Sequence, residues 1–275
     1  MSRSSSSILT IAAGMLAAGS VAASAVGAQA AYRPGAHSYR VDQAIDARQT
    51  VQGQMVETKA STIQLLSLSL APASQGLQFS LVVDSASTNL VGAQPAQQEQ
   101  ANAAMRELKG KKVTGTVTPQ GRAVELQPSD SGAASAQMVN SARGFLPKLP
   151  AGGLKAGASW NDSVTSNFNN NGIDGRTTVV STHAVAGDTT IAGQPAWHIT
   201  QKGAVRMSGT GVSQGAEVSL NGTGTVSGDA YVSKDGVYLG GDQSLTQSMT
   251  INVPAMGLAI PLEQKVTTKV RRTGS

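Results

Sequence analysis

The chain of 275 residues contains no cysteine. That excludes a disulfide framework, thiolate metal sites and a lipid-attachment cysteine. Aromatic residues make up only 3%, too few for the stacking platforms on which single-stranded nucleic acids lie. The three histidines, His37, His183 and His198, stand far apart and form no zinc pattern. The acids Asp162, Asp174, Asp188, Asp229, Asp235 and Asp242 are spread through turn-like segments, with none of the spacing of a calcium loop. Charged residues are sparse at 13%, with a net charge of +5. The tight basic clusters, Lys109-Lys111-Lys112 and Lys269-Arg271-Arg272, read as solvated faces or strand ends. Nucleic acid, metals and cofactors are therefore not expected, and a weak attraction to anionic lipid or cell-wall polymer is the most that the charge suggests.

What is present begins with an export-like leader. Arg3 precedes an apolar, alanine-rich run from Ile8 to about Val26, which ends in Ala28-Gln29-Ala30, an A-x-A cleavage site. Residues 1–30 are read as a signal peptide, and 31–275 as a single β-rich domain exported to the periplasm or beyond the cell. An uncleaved N-terminal anchor is the alternative.

Two-residue periodicity dominates that domain. In Leu77-Gln78-Phe79-Ser80-Leu81-Val82-Val83 the odd positions are apolar, as in a half-buried strand. The run Ile63–Leu70 alternates with a phase shift at Leu65-Leu66, where a bulge is expected. Trp197 and Ile199 share a face opposite His198 and Thr200. Val218 and Leu220 alternate with polar neighbours, and Leu262, Val266 and Val270 oppose Glu263, Lys265, Lys269 and Arg271. One wet and one dry face per strand favours an antiparallel sheet. Pro119-Gln120-Gly121, Asn171-Gly172, Asp174-Gly175 and Lys234-Asp235-Gly236 supply hairpin turns, and glycines inside strands mark bends where a sheet curls.

A helical middle segment is expected near 95–146. Pro95 opens a first helix with a stripe of Ala101, Ala104, Met105 and Leu108, closed by Gly110. A second starts with Ser129, Asp130 or Ser131 as N-cap, and its stripe is Met138, Val139, Ala142 and Phe145. The segments Val113–Leu126 and Val226–Leu239 echo each other, which either marks an internal duplication or reflects how alike glycine-rich hairpins are. The fold class expected is mainly β: a strongly curved antiparallel sheet, a half-open barrel, with two covering helices.

Two matches to chemical motifs are weak. Gly211-Val212-Ser213-Gln214-Gly215 fits G-x-S-x-G, but every histidine precedes Ser213 and no helical pattern follows it. The G-x-G pairs at Gly209 and Gly222 lack a following helix to receive a phosphate. No catalytic residue is assigned, and an enzyme is not expected.

The stretch Leu149–Trp160, LPAGGLKAGASW, resembles an uncharacterised group of bacterial exported β proteins. Their shape is similar to that of the periplasmic lipoprotein-carrier superfamily, the Lol carriers and lipoglycan-binding lipoproteins. The resemblance implies a bent, unclosed barrel with helices plugging an apolar cavity, and no catalytic motif.

The segment Ile251–Gln264, INVPAMGLAIPLEQ, is apolar where a turn is normally polar. Ladder pairing is expected to stop at Pro254 and resume after Pro261. An apolar loop of this kind covers the barrel mouth, meets a membrane or partner, or packs on the helices. Met256, Leu258, Ile260, Phe145 and Met138 are the candidate ligand-binding residues. The ligand class is lipid or an apolar small molecule, and the candidate partners are a membrane surface or an envelope protein. The alternative is a structural or interaction domain of the cell envelope with a filled core and no ligand.

Overall fold

The computed structural model describes residues 30–51, 54–170, 172–213 and 216–274. The leader lies outside the described residues, apart from Ala30. The elements are β1 (Gly35–Val51), β2 (Gln54–Ala73), β3 (Gly76–Leu90), α1 (Pro95–Arg106), β4 (Lys112–Val117), β5 (Ala123–Pro128), α2 (Ala133–Arg143), β6 (Ser159–Asn170), β7 (Ile173–Ile191), β8 (Gln194–Ser213), β9 (Ala216–Ser233), β10 (Tyr238–Val253) and β11 (Leu258–Arg272). All eleven strands form one open antiparallel sheet in the order β5-β4-β3-β2-β1-β11-β10-β9-β8-β7-β6. The first and last strands pair at its middle, from Tyr39–Arg272 to Gln49–Leu262, and β5 and β6 are the free edges. The echoing segments are the β4–β5 and β9–β10 hairpins.

Paired residues on antiparallel strands project to the same face, so the register assigns every inward side chain. Tyr39 pairs with Leu66. Leu66, Leu68 and Leu70 pair with Val83, Leu81 and Phe79, and Leu81 and Leu77 pair with Val113 and Val117. These are the buried core. The opposite face carries serine, threonine and charges. The period-two reading of 77–83 holds at every residue.

The bulge at Leu65-Leu66 is present, but its extra residue is Asp84 on β3, because Leu65 pairs with Ser85 and Leu66 with Val83. β2 keeps one phase throughout, so Ile63 and Leu65 face outward, 37% and 39% exposed.

The helices do different jobs. α2 lays Met138, Val139 and Ala142 into the core against β4 and β5. Its N-cap is Gly132 rather than a residue of 129–131. Asp130 still serves the first turn, accepting from Gly132 N at 3.0 Å and from Ser135 Oγ at 2.8 Å. α1 has no buried residue and lies along an edge, not over the face. Beyond Val82 the strand β3 has no β4 to pair with. There Gln98 accepts from Leu90 N at 2.8 Å and donates to Thr88 O at 2.7 Å, while Asn102 accepts from Thr88 N at 3.2 Å. Side-chain amides stand in for a missing strand and blunt an edge that would otherwise recruit another chain.

The gap between the edges is bridged at one end of the strands, the base. Asp162 on β6 accepts from Arg122, beside β5, at 3.0 Å and pairs with Lys148 at 2.7 Å. Leu149 N donates to Gln120 O at 2.9 Å, and the Trp160 indole donates to Lys148 O at 2.9 Å. Away from the base, Asn140 of α2 donates to Asn167 O at 3.1 Å, high on the free edge of β6 and beside Phe168.

Candidate functional site: an apolar trough above the plug

The main core cluster occupies the base of the sheet. Its upper limit is a ring cluster. Phe145 meets Tyr39 edge-on at 5.2 Å and Tyr238 at 5.9 Å, and the Tyr39 hydroxyl donates to Tyr238 O at 2.9 Å. Burial pushes both tyrosines well above the usual phenol range, so this floor is uncharged.

Above the floor the inner face continues along β7–β11 and β1. From Gly241 to Val253 on β10 this is about 40 Å at a rise of roughly 3.3 Å per residue. Successive rows of paired residues define it. One row runs Ile45–Val266–Leu245–Val226. A second runs Leu262–Met249–Gly222–Met207, and a third runs Ile260–Ile251–Leu220 with Phe168 over Gly175. Glutamines punctuate these rows, with Gln247 donating to Gln264 at 2.7 Å. α1 packs chiefly on β3 and α2 on β4 and β5, and α2 reaches the rim of this part of the face where Asn140 bonds Asn167 beside Phe168.

The sheet bends sharply here. β7 and β9 approach within 8 Å across β8, nearer than the roughly 9.5 Å of two flat strand spacings. Gln243 on β10 donates to Gln201 on β8 at 3.3 Å over Gly228 of the intervening β9. A Cβ at Gly203 would lie 2.5 Å from Val180 O, and one at Gly224 would lie 2.4 Å from Thr246 O. The glycines thus leave the inner side bare where neighbouring backbone closes in. As a result Val205, Val218, Val226 and Met249 are buried, while Ile45, Leu245, Val266, Ile251 and Ile260 stay half-exposed.

The five candidate residues fall into two groups. Leu258 and Ile260 lie on the inner face of the trough, paired with Val253 and Ile251. Met256 is 71% exposed at the hairpin tip. Met138 is buried in the plug, and Phe145 forms part of the floor, a strand length away from the tip. The structure does not bring them into one site, and the apolar loop does not pack on the helices.

Pairing also departs from the expectation. It stops at Pro254, where a 3-10 turn (Pro254–Met256) closes on Gly257, which has φ +58°. It resumes already at Leu258, and Pro261 pairs with Thr250. The explanation is the other neighbour: the β1 ladder on β11 ends at Leu262, so at Pro261 that side of the strand is an edge, where proline is tolerated.

Sequence reasoning missed the polar cluster on the β6–β7 side of the inner face. His183 is buried, stacked on Trp160 at 5.4 Å and 3.0 Å from Ser181 Oγ. Burial, more than its neighbours, holds the His183 imidazole below its ordinary value of 6.5. For Asp162, burial pushes upward, but Lys148 and Arg122 together pull the carboxyl below 3.8. The four charged or titratable groups are scattered along the chain, and only the closing of the sheet edges assembles them. His198 is outward as expected, yet it is engaged, 2.6 Å from Asp229 and stacked on Tyr231. Ser213 ends β8, and β9 begins at Ala216, so a strand follows the motif where a nucleophile elbow needs a helix. Two depressions of about 580 Å³ lie on the polar outer side around Arg176 and Ser208, behind the same strands whose inner side forms the trough.

The fold and site define an open, sharply bent antiparallel half-barrel with a plugged base and an apolar upper face. No family model matches the chain, and no curated protein matches it. Among solved structures it is similar to a DUF1329 family protein from Desulfovibrio piger ATCC 29098. The identity is 9%, 85% of each chain is covered and the TM-score is 0.14, too low to carry any argument about this chain.

Proposed function

We propose that the protein is an exported, non-enzymatic binding protein that holds an apolar, lipid-like ligand in the trough. The observation that carries this reading is the half-exposed run Ile45, Leu245, Val266, Ile251 and Ile260, on the same face as the core but on β1, β10 and β11, away from the strands on which the helices chiefly pack. Apolar surface left in water on a concave face is the usual mark of a ligand site. The resemblance of LPAGGLKAGASW to the lipoprotein-carrier shape supports the same reading. A fluorescent fatty-acid probe tests it. Leu245→Asp with Val266→Asp should weaken probe binding at least tenfold, because a charge there would face the apolar chain. Unchanged affinity would refute the assignment.

The second reading is an envelope domain whose trough is filled by its own side chains. The burial of Val205, Val218, Val226 and Met249 favours it. Native mass spectrometry of protein purified from its own host separates the two. A copurifying lipid supports the first, and a bare mass together with no probe binding supports the second.

Export rests on the leader read from the sequence. N-terminal sequencing of the exported protein should begin at Ala31, and a start at Met1 would overturn it.

A further inference from the structure

Four hairpins turn at the same end of the sheet, opposite the plugged base: β1–β2, β10–β11, β8–β9 and β6–β7. The register shows how level the first three are. From the row Gln49–Leu262–Met249–Gly222–Met207, their strands run on by only two to six residues. The tips are therefore staggered by no more than about 13 Å at 3.3 Å per residue.

The first two of these tips share an unusual composition. Met55 is 73% exposed at the first, Met256 71% at the second and Val212 57% at the third. The sequences QTVQGQMV and VPAMGLAI, covering 49–56 and 253–260, contain no charged residue, whereas at the third tip Glu217 pairs with Val212 on the same face. Scattered apolar side chains on a surface need no explanation, but a row of them on adjacent tips does. Between the row Lys59–Asp46–Lys265 and the tips, the outer-face charges of the sheet balance among the described residues, five of each sign. Arg48 and Lys59 are both bound to Glu57, at 3.1 and 3.2 Å.

We infer that this end docks on a lipid bilayer through Met55 and Met256. The tips insert between neutral headgroups, and the trough mouth faces the membrane. The occupant follows from charge. An acidic or basic protein partner would call for a surface of opposite sign, whereas uncharged tips above a balanced belt match an electrically neutral lipid surface. Methionine suits a fluid, irregular environment because its chain is unbranched and adaptable. The inference deepens the ligand-binding reading by naming where an apolar ligand would enter, but its evidence is the tips, so the two can fail separately.

Flotation with phosphatidylcholine vesicles tests it. The wild-type mature protein should float, and Met55→Asp with Met256→Asp should cut the bound fraction at least tenfold, since a carboxylate resists entry into hydrocarbon. Both side chains are exposed, so melting should be unchanged. Binding should persist at roughly 1 M salt, where the screening length is about 3 Å. The control Ile63→Asp with Leu65→Asp alters exposed apolar residues away from the tips and should leave flotation intact. Three results would overturn the inference: no flotation of the wild type, equal loss in the control, or release by salt. Fatty-acid binding without vesicles should survive the tip changes. If it is lost in the trough variant while flotation stands, both readings hold; if the probe never binds, the trough reading falls and the docking surface remains.

Discussion

Asp162→Ala should lower stability by about 3 kcal/mol, towards the lower end of what removing one partner from a buried ion pair costs. The carboxylate is 6% exposed and holds two cations across the gap between the sheet edges. Without it, Lys148, whose side chain is 14% exposed, keeps a charge with no counter-ion, while Arg122, half-exposed, can turn to water. Urea denaturation measures the loss, and a change below about 1 kcal/mol would mean that the bridge is ornamental. Adding Lys148→Met should recover part of the loss, because the orphaned charge is then gone. The same site contributes to the acid response. Asp162 has a folded pKa below 3.8, so its contribution is complete above that value and is lost as the pH falls through the folded pKa. His183 is held below 6.5, so the unfolded chain takes up its proton first, and stability begins to decline as the pH drops below 6.5. Melting temperatures should therefore fall in two acid steps, and Asp162→Asn should shrink the lower one, to which Asp42, Glu57 and Asp130, held down by their own partners, also contribute.

Gly203→Val should cost about 3 kcal/mol, the upper end of the overpacking range. A strand-propensity scale points the other way, since valine is favoured and glycine disfavoured in strands. The geometry decides the sign. The new Cβ would meet Val180 O at 2.5 Å and Ser181 Cβ at 2.8 Å, and neither can swing aside. Relief requires β7 and β8 to flatten, which widens the trough, so probe affinity should drop with stability. Ala204→Val, one residue away on the exposed outer face, should be close to neutral. Equal behaviour of the two variants in chemical denaturation would show that the bend does not depend on Gly203.

What the sequence disclosed follows from what local patterns encode. Alternation in 77–83 assigned the core face correctly because a strand with one wet side must alternate. Pro95 and the stripe at Met138–Ala142 located the helices because caps and stripes are local signals. The role of α1 was hidden for the converse reason. Gln98 and Asn102, which hold it to β3, are polar and look like a solvated face until the unpaired edge is known. Pro261 was misjudged because its tolerance depends on where β1 ends, a fact written at the other end of the chain. Asp162, Lys148, Arg122 and His183 carry no mutual spacing rule, and only the meeting of edges β5 and β6 makes them a cluster. Leu258 and Ile260 could be placed on the trough from their parity with Leu262, but their separation from Phe145 and Met138 required the strand register.

The pairing of β1 with β11 imposes an order on assembly. Every other ladder joins strands that are neighbours in the chain, whereas this one joins the ends. Until β11 arrives, the sheet exists as two unconnected ribbons, β1–β5 and β6–β10. The first presents all of β1 as an open edge, and the second presents β10. Both edges are long, and such edges invite pairing with other chains. Closing this seam brings together residues at maximal sequence separation, the slowest kind of contact to form. The last fifteen-residue strand is thus the keystone of the sheet, and the interval before it docks is when the protein is most exposed to aggregation or to capture by a chaperone.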